Sequence, residues 1–305
     1  MPKPLTKADM VAMFPPLVSP FDENEDLDLK AFRKEVEFYL THDEFTGVCI
    51  GGSTGEGYSL EAEEVGALVK AAQDVVAGKI PVMAGIITTT TRKAVRAGQS
   101  AAAAGAQALM VTPPIAQSNR PEDLYDYFAS IHRETGLPIM TYNVVAGNPV
   151  DPQLMRRMAE NPAETGLFGA KESVGSSLNW LAELLETIGD KIAVTWAHDW
   201  LLYPGLAVGA VGSVSGAAAV MPKHSIALWD AVQKQDLKRA RKLNEAITDV
   251  SNQITTRNWP AGVKTAINLQ GRPVGRCRRP FNPVSKDQEN RIAAALERAQ
   301  DSLNA

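Results

Sequence analysis

The chain has 305 residues, of which 45% are hydrophobic and 22% are charged, and its formal net charge is −4. This composition is typical of a soluble globular protein with a sizeable core, and the mild acidity argues against a nucleic-acid-binding or anionic-membrane-binding surface. Two cysteines, Cys49 and Cys277, are too few for a disulfide framework, so a reducing compartment is expected.

Two stretches bear on targeting and on membranes. Residues 1–9 contain no apolar run of the kind that a signal peptide needs, so no signal peptide is expected. Residues 201–221 carry no charge and are long enough to span a bilayer. Glycines and a proline interrupt this stretch, so it is predicted to form a short helix, a buried strand and a glycine-rich turn instead.

Apolar runs and helical spacings alternate along most of the chain. The pattern predicts strands, in chain order, at residues 14–21, 47–50, 81–86, 106–112, 137–143, 167–171, 192–196 and 211–214. Helices are predicted at residues 29–40, 92–104, 152–160, 178–188, 201–208 and 222–232. One further helix is predicted to begin after an N-cap at Ser59, and another to begin near residue 121.

This alternation predicts the fold class. Eight strand–helix units of about 25 residues, joined by short turns, fit an α/β protein with a closed (β/α)8 TIM barrel better than an open sheet. Beyond residue 235 the pattern is purely helical, at 237–257, 261–269 and 285–303. We therefore expect a barrel over residues 1–234 that carries the active site, and a C-terminal helical appendage over residues 235–305.

Lys171 closes the short apolar strand predicted at residues 167–171. A lysine at a strand end can extend its ammonium to solvent, or it can serve as a nucleophilic amine whose charge is suppressed by apolar surroundings. Glu172 follows directly and should alternate to the opposite face of the strand, where it would not stabilise the ammonium. The surrounding chain must decide between the two alternatives.

Active sites of TIM barrels form at the carboxyl ends of the strands. The polar residues at the predicted strand ends are Ser53, Thr54, Tyr142, Lys171, His198, Asp199 and Ser213. A lysine can form a Schiff base that acts as an electron sink, and a nearby tyrosine can move protons as that imine forms. Ser53, Thr54 and the amides of the glycine-rich turn at 51–57 can seat a carboxylate.

Each of these residues also has a purely structural explanation. Tyr142 alone is typical of a half-buried aromatic residue, and Asp199 can simply start a helix. The turn at 51–57 is not a P-loop, because no Gly-Lys-Ser/Thr follows it, and the four histidines show no metal-ligand spacing, so no metal is expected. It is the combination of residues that favours carbonyl chemistry.

Several motifs together resemble one known family over nearly the whole chain. They lie at residues 51–56 (Gly-Gly-Ser-Thr-Gly-Glu), 111–113, 142–144, 169–173 (Gly-Ala-Lys-Glu-Ser), 209–213 and 277–281. The chain resembles the Schiff-base lyases that include dihydrodipicolinate synthase and N-acetylneuraminate lyase. The resemblance implies that Lys171 forms the imine, that Tyr142 is the catalytic tyrosine, and that Ser53 and Thr54 bind the carboxylate of a 2-oxo acid.

The resemblance also implies a cytoplasmic homotetramer, a dimer of dimers, that acts on a pyruvate-like substrate with neither a metal nor an organic cofactor. The further candidates for substrate binding are Gly52, Ser173, His198, Asp199 and Ser213.

The chain departs from both patterns at the far end of the site. The synthase pattern has tyrosines after strand four and an arginine after the strand-five tyrosine, but residues 113–117 and 145–148 hold neither. The lyase pattern has Asp-Glu in the strand-seven loop, where this chain has Asp199-Trp200. Trp196 and Trp200 near the mouth favour a pocket for a compact or aromatic group over one for a polyhydroxylated chain.

The leading hypothesis is therefore a class I lyase that cleaves or forms a carbon–carbon bond reversibly, with pyruvate as the common piece. A dehydratase or deaminase that acts on a hydroxylated 2-oxo acid through the same imine is the alternative. True dihydrodipicolinate synthase activity and a non-catalytic 2-oxo-acid sensor are less favoured.

Overall fold

Parallel strands alternate with helices in the computed structural model, which describes residues 3–174 and 177–303. The strands are Ala12–Met13 (β1), Val48–Ile50 (β2), Val82–Ile86 (β3), Ala108–Val111 (β4), Ile139–Asn143 (β5), Leu167–Glu172 (β6), Ala193–Trp196 (β7) and Gly212–Ser213 (β8). The helices between them are Leu29–Tyr39 (α1), Ala62–Val76 (α2), Thr91–Ala103 (α3), Pro121–Thr135 (α4), Pro152–Glu160 (α5), Pro162–Thr165 (α6), Leu178–Ile188 (α7), Leu202–Val208 (α8) and Gly216–Val220 (α9). The helices that follow are Pro222–Gln233 (α10), Leu237–Ile254 (α11), Trp259–Leu269 (α12) and Lys286–Gln300 (α13).

The strands close into the predicted TIM barrel. Strands β2 to β7 pair in sequence order, and β1 pairs in parallel with β8. Backbone bonds complete the ring on both sides of β1 and between β7 and β8. They run from the amides of Phe14, Cys49 and Val211 to the carbonyls of Ser213, Pro15 and Val194, at 2.8, 3.0 and 3.0 Å. The carboxyl ends of all strands consequently meet at one mouth.

The prediction of the first strand was wrong. It placed the strand at residues 14–21, whereas the ladder with β8 involves Ala12 and Met13, and a parallel bridge then joins Pro16 to Cys49 of β2. Prolines at 15, 16 and 20 have no amide hydrogen, so they cannot continue a strand ladder. The other predicted strands overlap the observed ones within about two residues, which is the ordinary uncertainty at element ends.

The predicted N-cap at Ser59 was also wrong. Residues 57–59 form a separate helical turn, and Glu61 is the N-cap of α2. The Ser59 hydroxyl instead donates to the carbonyl of Glu56, at 2.8 Å.

Apolar residues form two layers, one on each face of the strands. One lies inside the ring, where Phe14, Cys49 and three methionines fill the space below the mouth; the methionines are Met83, Met110 and Met140. The other lies between the strands and the helices, and its α1 contribution is Phe32, Val36 and Tyr39. Because both faces of the strands are covered, the strands appear in the sequence as nearly continuous apolar runs.

Helix α11 packs against α10, and the C-terminal helices α11, α12 and α13 pack against one another. The loop that follows α12 also brings a buried cation to α1 and α9. Arg272 pairs with Glu35 of α1, at 2.8 Å between Nη1 and Oε1, and its Nη2 donates to the carbonyl of Ala219 at 3.0 Å. The boundary between residues 234 and 235 stays a prediction, and contacts of this kind connect its two sides.

The uncharged stretch at residues 201–221 folds as α8, β8 and α9, which agrees with its prediction. Within the described chain, no helix has both the length and the apolar character needed to cross a bilayer.

The seam between β1 and β8 generates a stability prediction. A β-carbon at Gly212 would lie 2.2 Å from the carbonyl oxygen of Ala12 and 2.7 Å from that of Met10. Gly212→Ala should therefore lower the free energy of unfolding by about 1–3 kcal/mol, because two backbone segments must separate. Urea unfolding followed by tryptophan fluorescence measures this change.

Gly147→Ala is the control, since nothing lies within 4 Å of its β-carbon. Equal urea midpoints for the two variants would contradict the tight seam.

Candidate active site

Lys171 ends on the inner side of the barrel mouth. It lies in register with Tyr142 on β5 and with Thr195 on β7, and it is only 3% exposed. Its Nζ lies 3.9 Å from the centroid of the Tyr142 ring. The alternative of an ammonium that extends to solvent is therefore not what the structure shows.

Glu172 faces the opposite side of β6, as the strand alternation predicts. Its carboxylate accepts hydrogen bonds from the side chains of Asn143 and Trp180, at 3.0 and 2.9 Å, and from the Val174 amide, at 2.7 Å. Burial raises the pKa of Glu172, and these bonds only partly offset that effect. The carboxylate nearest in sequence is thus kept away from the amine of Lys171.

Tyr142 connects the lysine to the glycine-rich turn. Its side chain is buried, and its hydroxyl lies 3.1 Å from the Ser53 hydroxyl, where either group can donate. Lys171, Tyr142 and Ser53 therefore form one continuous arrangement of an amine, a phenol and an alcohol. Groups of this kind can pass a proton between a reacting carbonyl and the protein.

The turn at residues 51–57 folds back on itself. The amides of Gly55 and Gly57 both donate to the carbonyl of Gly52, at 3.0 Å, and the Glu56 amide donates to the carbonyl of Ser53, at 3.1 Å. Among the described residues, no acceptor bonds the amides of Ser53 and Thr54. These two adjacent donors, with the Ser53 hydroxyl beside them, are suited to receive a carboxylate.

The structure shows which amides of the turn at residues 51–57 are already bonded within the protein. The amides of residues 55–57 are used within the turn, so they are not available to a ligand. Gly52 allows the close packing of the turn, because a β-carbon there would lie 3.0 Å from the Met110 methyl group.

His198 and Ser173 lie beside the lysine. The His198 ring packs against Trp196, with 4.7 Å between ring centroids. Burial lowers the pKa of His198, a backbone hydrogen bond with Ser173 raises it, and the charge of Lys171 lowers it. The structure thus brings Ser173, His198 and Lys171 together, and their roles in substrate binding stay predictions.

Asp199 and Ser213 make structural contacts in this region. The Asp199 carboxylate accepts from the Ala217 amide, at 3.1 Å, in the first turn of α9. The Ser213 hydroxyl donates to the carbonyl of Trp196, at 2.6 Å, across the β7–β8 seam. Substrate binding by either residue stays a prediction, and any such role must be compatible with these bonds.

The expectation of tryptophans lining the pocket is not met. Trp196 is fully buried and its indole donates to the carbonyl of Leu201, at 2.9 Å. The Trp200 indole donates to Asn252 of α11, at 2.8 Å, which turns it toward the C-terminal helices. Both indole N–H groups therefore bond to the protein, and neither residue supports an aromatic-binding pocket.

Sequence reasoning gave no role to Asn148, which joins two loops at the mouth. Its amide nitrogen donates to the Pro114 carbonyl, at 3.0 Å, and to the Asn119 side chain, at 2.9 Å. The loop that lacks the family tyrosine is thus tied to the loop that lacks the family arginine. A buried asparagine surrounded by glycine and alanine was the available signal, and burial was not evident from the sequence.

Asp199 also generates a prediction about pH. Burial raises its pKa to about 6, from an ordinary value of 3.8. The folded protein therefore holds this proton more tightly than the unfolded chain does. Asp199 contributes stability as the pH falls from about 6 toward 4, and this contribution is lost as the pH rises through 6.

Asp199→Asn should abolish that contribution. Relative to the variant, the wild type should gain roughly 1–3 kcal/mol of unfolding free energy between pH values of about 7 and about 4.5, as measured by urea unfolding. Asp230→Asn, at an exposed carboxylate on α10, is the control. Parallel stability curves for wild type and Asp199→Asn would show that the proton uptake lies elsewhere.

Comparisons with known proteins show the family to which the chain belongs. The model of the "Dihydrodipicolinate synthetase family" matches residues 9–299. A 4-hydroxy-tetrahydrodipicolinate synthase of Thermodesulfovibrio yellowstonii is 32% identical over 96% of this chain and 98% of its own length.

Solved structures share the fold over nearly the full length. The synthase of Methylacidiphilum fumariolicum SolV is 26% identical and superposes with a TM-score of 0.88, covering 97% of each chain. A chloride-inhibited dihydrodipicolinate synthase of Acinetobacter baumannii, complexed with pyruvate, is 25% identical with a TM-score of 0.87, covering 95% of this chain and 99% of that one. The sialic acid aldolase of Ruminococcus gnavus, at 18% identity and a TM-score of 0.90, covers 97% of this chain and 98% of its own and shares the fold. This chain belongs to the dihydrodipicolinate synthetase family.

Proposed function

We propose that the protein is a class I lyase that binds a 2-oxo acid such as pyruvate as an imine on Lys171. We further propose that it catalyses reversible aldol cleavage or condensation. The observation that carries the proposal is the position of the Lys171 amine, 3.9 Å from the ring centroid of Tyr142, whose hydroxyl lies 3.1 Å from Ser53.

The residues suggest a sequence of steps. The substrate carboxylate binds at the amides of Ser53 and Thr54, which presents the 2-oxo carbon to the Lys171 amine. The amine attacks this carbon, and the resulting carbinolamine loses water as Tyr142 returns a proton to the departing hydroxyl. Ser53 lies within reach to exchange that proton with Tyr142.

Bond cleavage then uses the iminium ion as the electron sink. Tyr142 takes the proton from the C4 hydroxyl as the aldehyde forms, the C3–C4 bond breaks, and its electron pair passes into the iminium to give an enamine. Protonation of the enamine at C3 and hydrolysis of the imine release pyruvate and restore the amine. Condensation is the reverse of these steps.

The relatives support the 2-oxo-acid end of the proposal. The Acinetobacter baumannii enzyme was solved in complex with pyruvate, which supports a pyruvate-like substrate for this chain. A cytoplasmic location and a homotetramer are further parts of the proposal, and they rest on the family resemblance.

The acceptor is proposed to be an uncharged aldehyde. Between each strand and the helix that follows it, the only basic residues besides Lys171 are His198 and Arg120. Arg120 is paired with Asp123, at 2.8 Å, on the exposed start of α4. A second carboxylate would therefore find no available guanidinium or ammonium in these loops, which argues against the reaction of the synthase relatives.

One observation favours the alternative of a dehydratase or deaminase. The loop after β4 has no tyrosine, so the C4 hydroxyl of an aldol substrate has one proton acceptor fewer than the family pattern provides. Elimination instead removes a proton from C3 to form the enamine, which expels the protonated C4 substituent as water or ammonia, so it needs no base at the C4 hydroxyl.

The first test is reductive trapping. Borohydride with pyruvate should add one reduced pyruvyl group to the wild-type protein, detected by intact mass, because the imine is reduced to a stable secondary amine. Lys171→Ala should give no adduct, and the control Lys191→Ala, at an exposed lysine, should give the full adduct. An adduct that persists in Lys171→Ala would remove the basis of the proposal.

The second test identifies the reaction type. Incubation with a panel of 4-hydroxy-2-oxo acids should release pyruvate, detected with lactate dehydrogenase. Release should fall by about 10²–10⁴-fold in Tyr142→Phe, because the proton carrier is removed. A 2-oxo product of unshortened carbon chain, with no pyruvate, would instead establish elimination.

A further inference from the structure

Glu56 occupies an unusual position in the carboxylate-binding turn. It is the residue after Ser53-Thr54-Gly55, and it adopts a left-handed backbone conformation with φ 53° and ψ 35°. That conformation is uncommon for a residue with a side chain and must be held by its surroundings. Its amide donates to the carbonyl of Ser53, and the Ser53 hydroxyl contacts Tyr142, so the position of Glu56 directly affects Ser53.

The carboxylate of Glu56 is fully buried and is bound by two residues of the C-terminal region. Lys264 of α12 lies 2.6 Å from Oε1, and the Arg278 amide donates to Oε2 at 3.1 Å. Neither group reaches the mouth, and Glu56 therefore acts on the far side of the turn from the substrate.

Lys264 also contacts three residues besides Glu56. Its ammonium donates to the carbonyls of Ser19 and Arg276, at 2.7 and 2.6 Å, and lies 4.5 Å from the centroid of the Phe21 ring. The Ser19 hydroxyl donates to the carbonyl of Gly55, at 2.7 Å, which adds a second bond to the same turn. The ammonium thus joins three chain segments that are far apart in sequence.

A buried ion pair is a costly way to stabilise a fold, because both charges lose their hydration, and apolar residues of similar volume often stabilise as well or better. What an ion pair adds is a defined geometry, which apolar contacts do not supply. Here that geometry is imposed on the turn that carries Ser53 and Thr54.

We infer that Glu56 and Lys264 are a positioning pair that sets the turn at residues 51–57 for binding the 2-oxo-acid carboxylate. The inference rests on the proposed imine chemistry. It predicts that loss of the pair weakens the capture of pyruvate more than it slows the reduction of the captured imine.

The chain offers a matched control pair. Glu35 and Arg272 are also a buried carboxylate and a cation that connect the barrel to the C-terminal region, at 2.8 Å. They contact α1 and the end of α9, and not the carboxylate-binding turn. Glu35→Gln therefore reproduces the loss of a buried charge, without acting on Ser53.

The experiment measures borohydride trapping of the full-length protein as a function of pyruvate concentration. Glu56→Gln should raise the half-saturating pyruvate concentration by roughly tenfold, the size expected when a charge-assisted hydrogen bond is lost. Its maximal trapped fraction should stay near that of the wild type. Glu35→Gln should lower the melting temperature to a similar degree and leave the half-saturating concentration unchanged.

Lys264→Met and the double variant Glu56→Gln/Lys264→Met complete a cycle. Both should show about the same half-saturating concentration as Glu56→Gln, because residues that act as a unit are not additive. If Glu56→Gln does not fold, Glu56→Asp shortens the same carboxylate by one methylene, and it should raise the half-saturating concentration in the same direction.

The outcomes separate the two proposals. A wild type that pyruvate does not trap overturns the proposed function. A wild type that is trapped normally, with Glu56→Gln and Glu56→Asp unchanged in half-saturation, overturns only the positioning role. An equal rise in Glu35→Gln also overturns it, since general loosening would then account for the effect.

Discussion

The pairing of β5 with β6 in parallel register is the constraint on which the candidate site depends, because it sets Lys171 directly beside Tyr142. Strand alternation then sends Glu172 to the other face, where three donors hold its carboxylate away from the amine. Closure of the ring brings the turn after β2 to the same mouth and places Ser53 against the Tyr142 hydroxyl. A register shift of one residue would exchange the lysine for the glutamate, so the chemistry is a consequence of the sheet pairing.

The sequence predicted the barrel well because strands buried on both faces appear as apolar runs that are too short for helices, while the segments between them carry apolar residues at helical spacing. The first strand failed because its apolar run is rich in proline, which satisfies a hydrophobicity criterion but cannot supply ladder hydrogen bonds. The convergence of Lys171, Tyr142 and Ser53 was predictable, since each lies at or just beyond the carboxyl end of a strand. The direction of Trp196 and Trp200 was not, because it depends on distant partners such as Leu201 and Asn252.

Interactions between distant segments explain the other residues that sequence reasoning missed. Asn148 and Lys264 are unremarkable in their local context, and their roles appear only when Pro114, Ser19 and Glu56 are brought beside them. Each of these contacts satisfies a buried polar group that would otherwise be costly. The helices after residue 235 therefore complete the polar interior on the outer side of the mouth, a role that their amphipathic pattern does not indicate.

The ring closure also has a consequence for the order in which the protein can be made. Ala12 and Met13 are translated some two hundred residues before their partners Gly212 and Ser213. Lys264, which bonds Ser19 across 245 positions, emerges later still. A nascent chain consequently holds Ala12 and Met13 without their β8 partner until Gly212 and Ser213 have been translated, and the turn at residues 51–57 gains its contact with Lys264 only after that. The seam between β1 and β8 therefore closes over some two hundred residues of chain, and contacts of such long sequence separation form slowly.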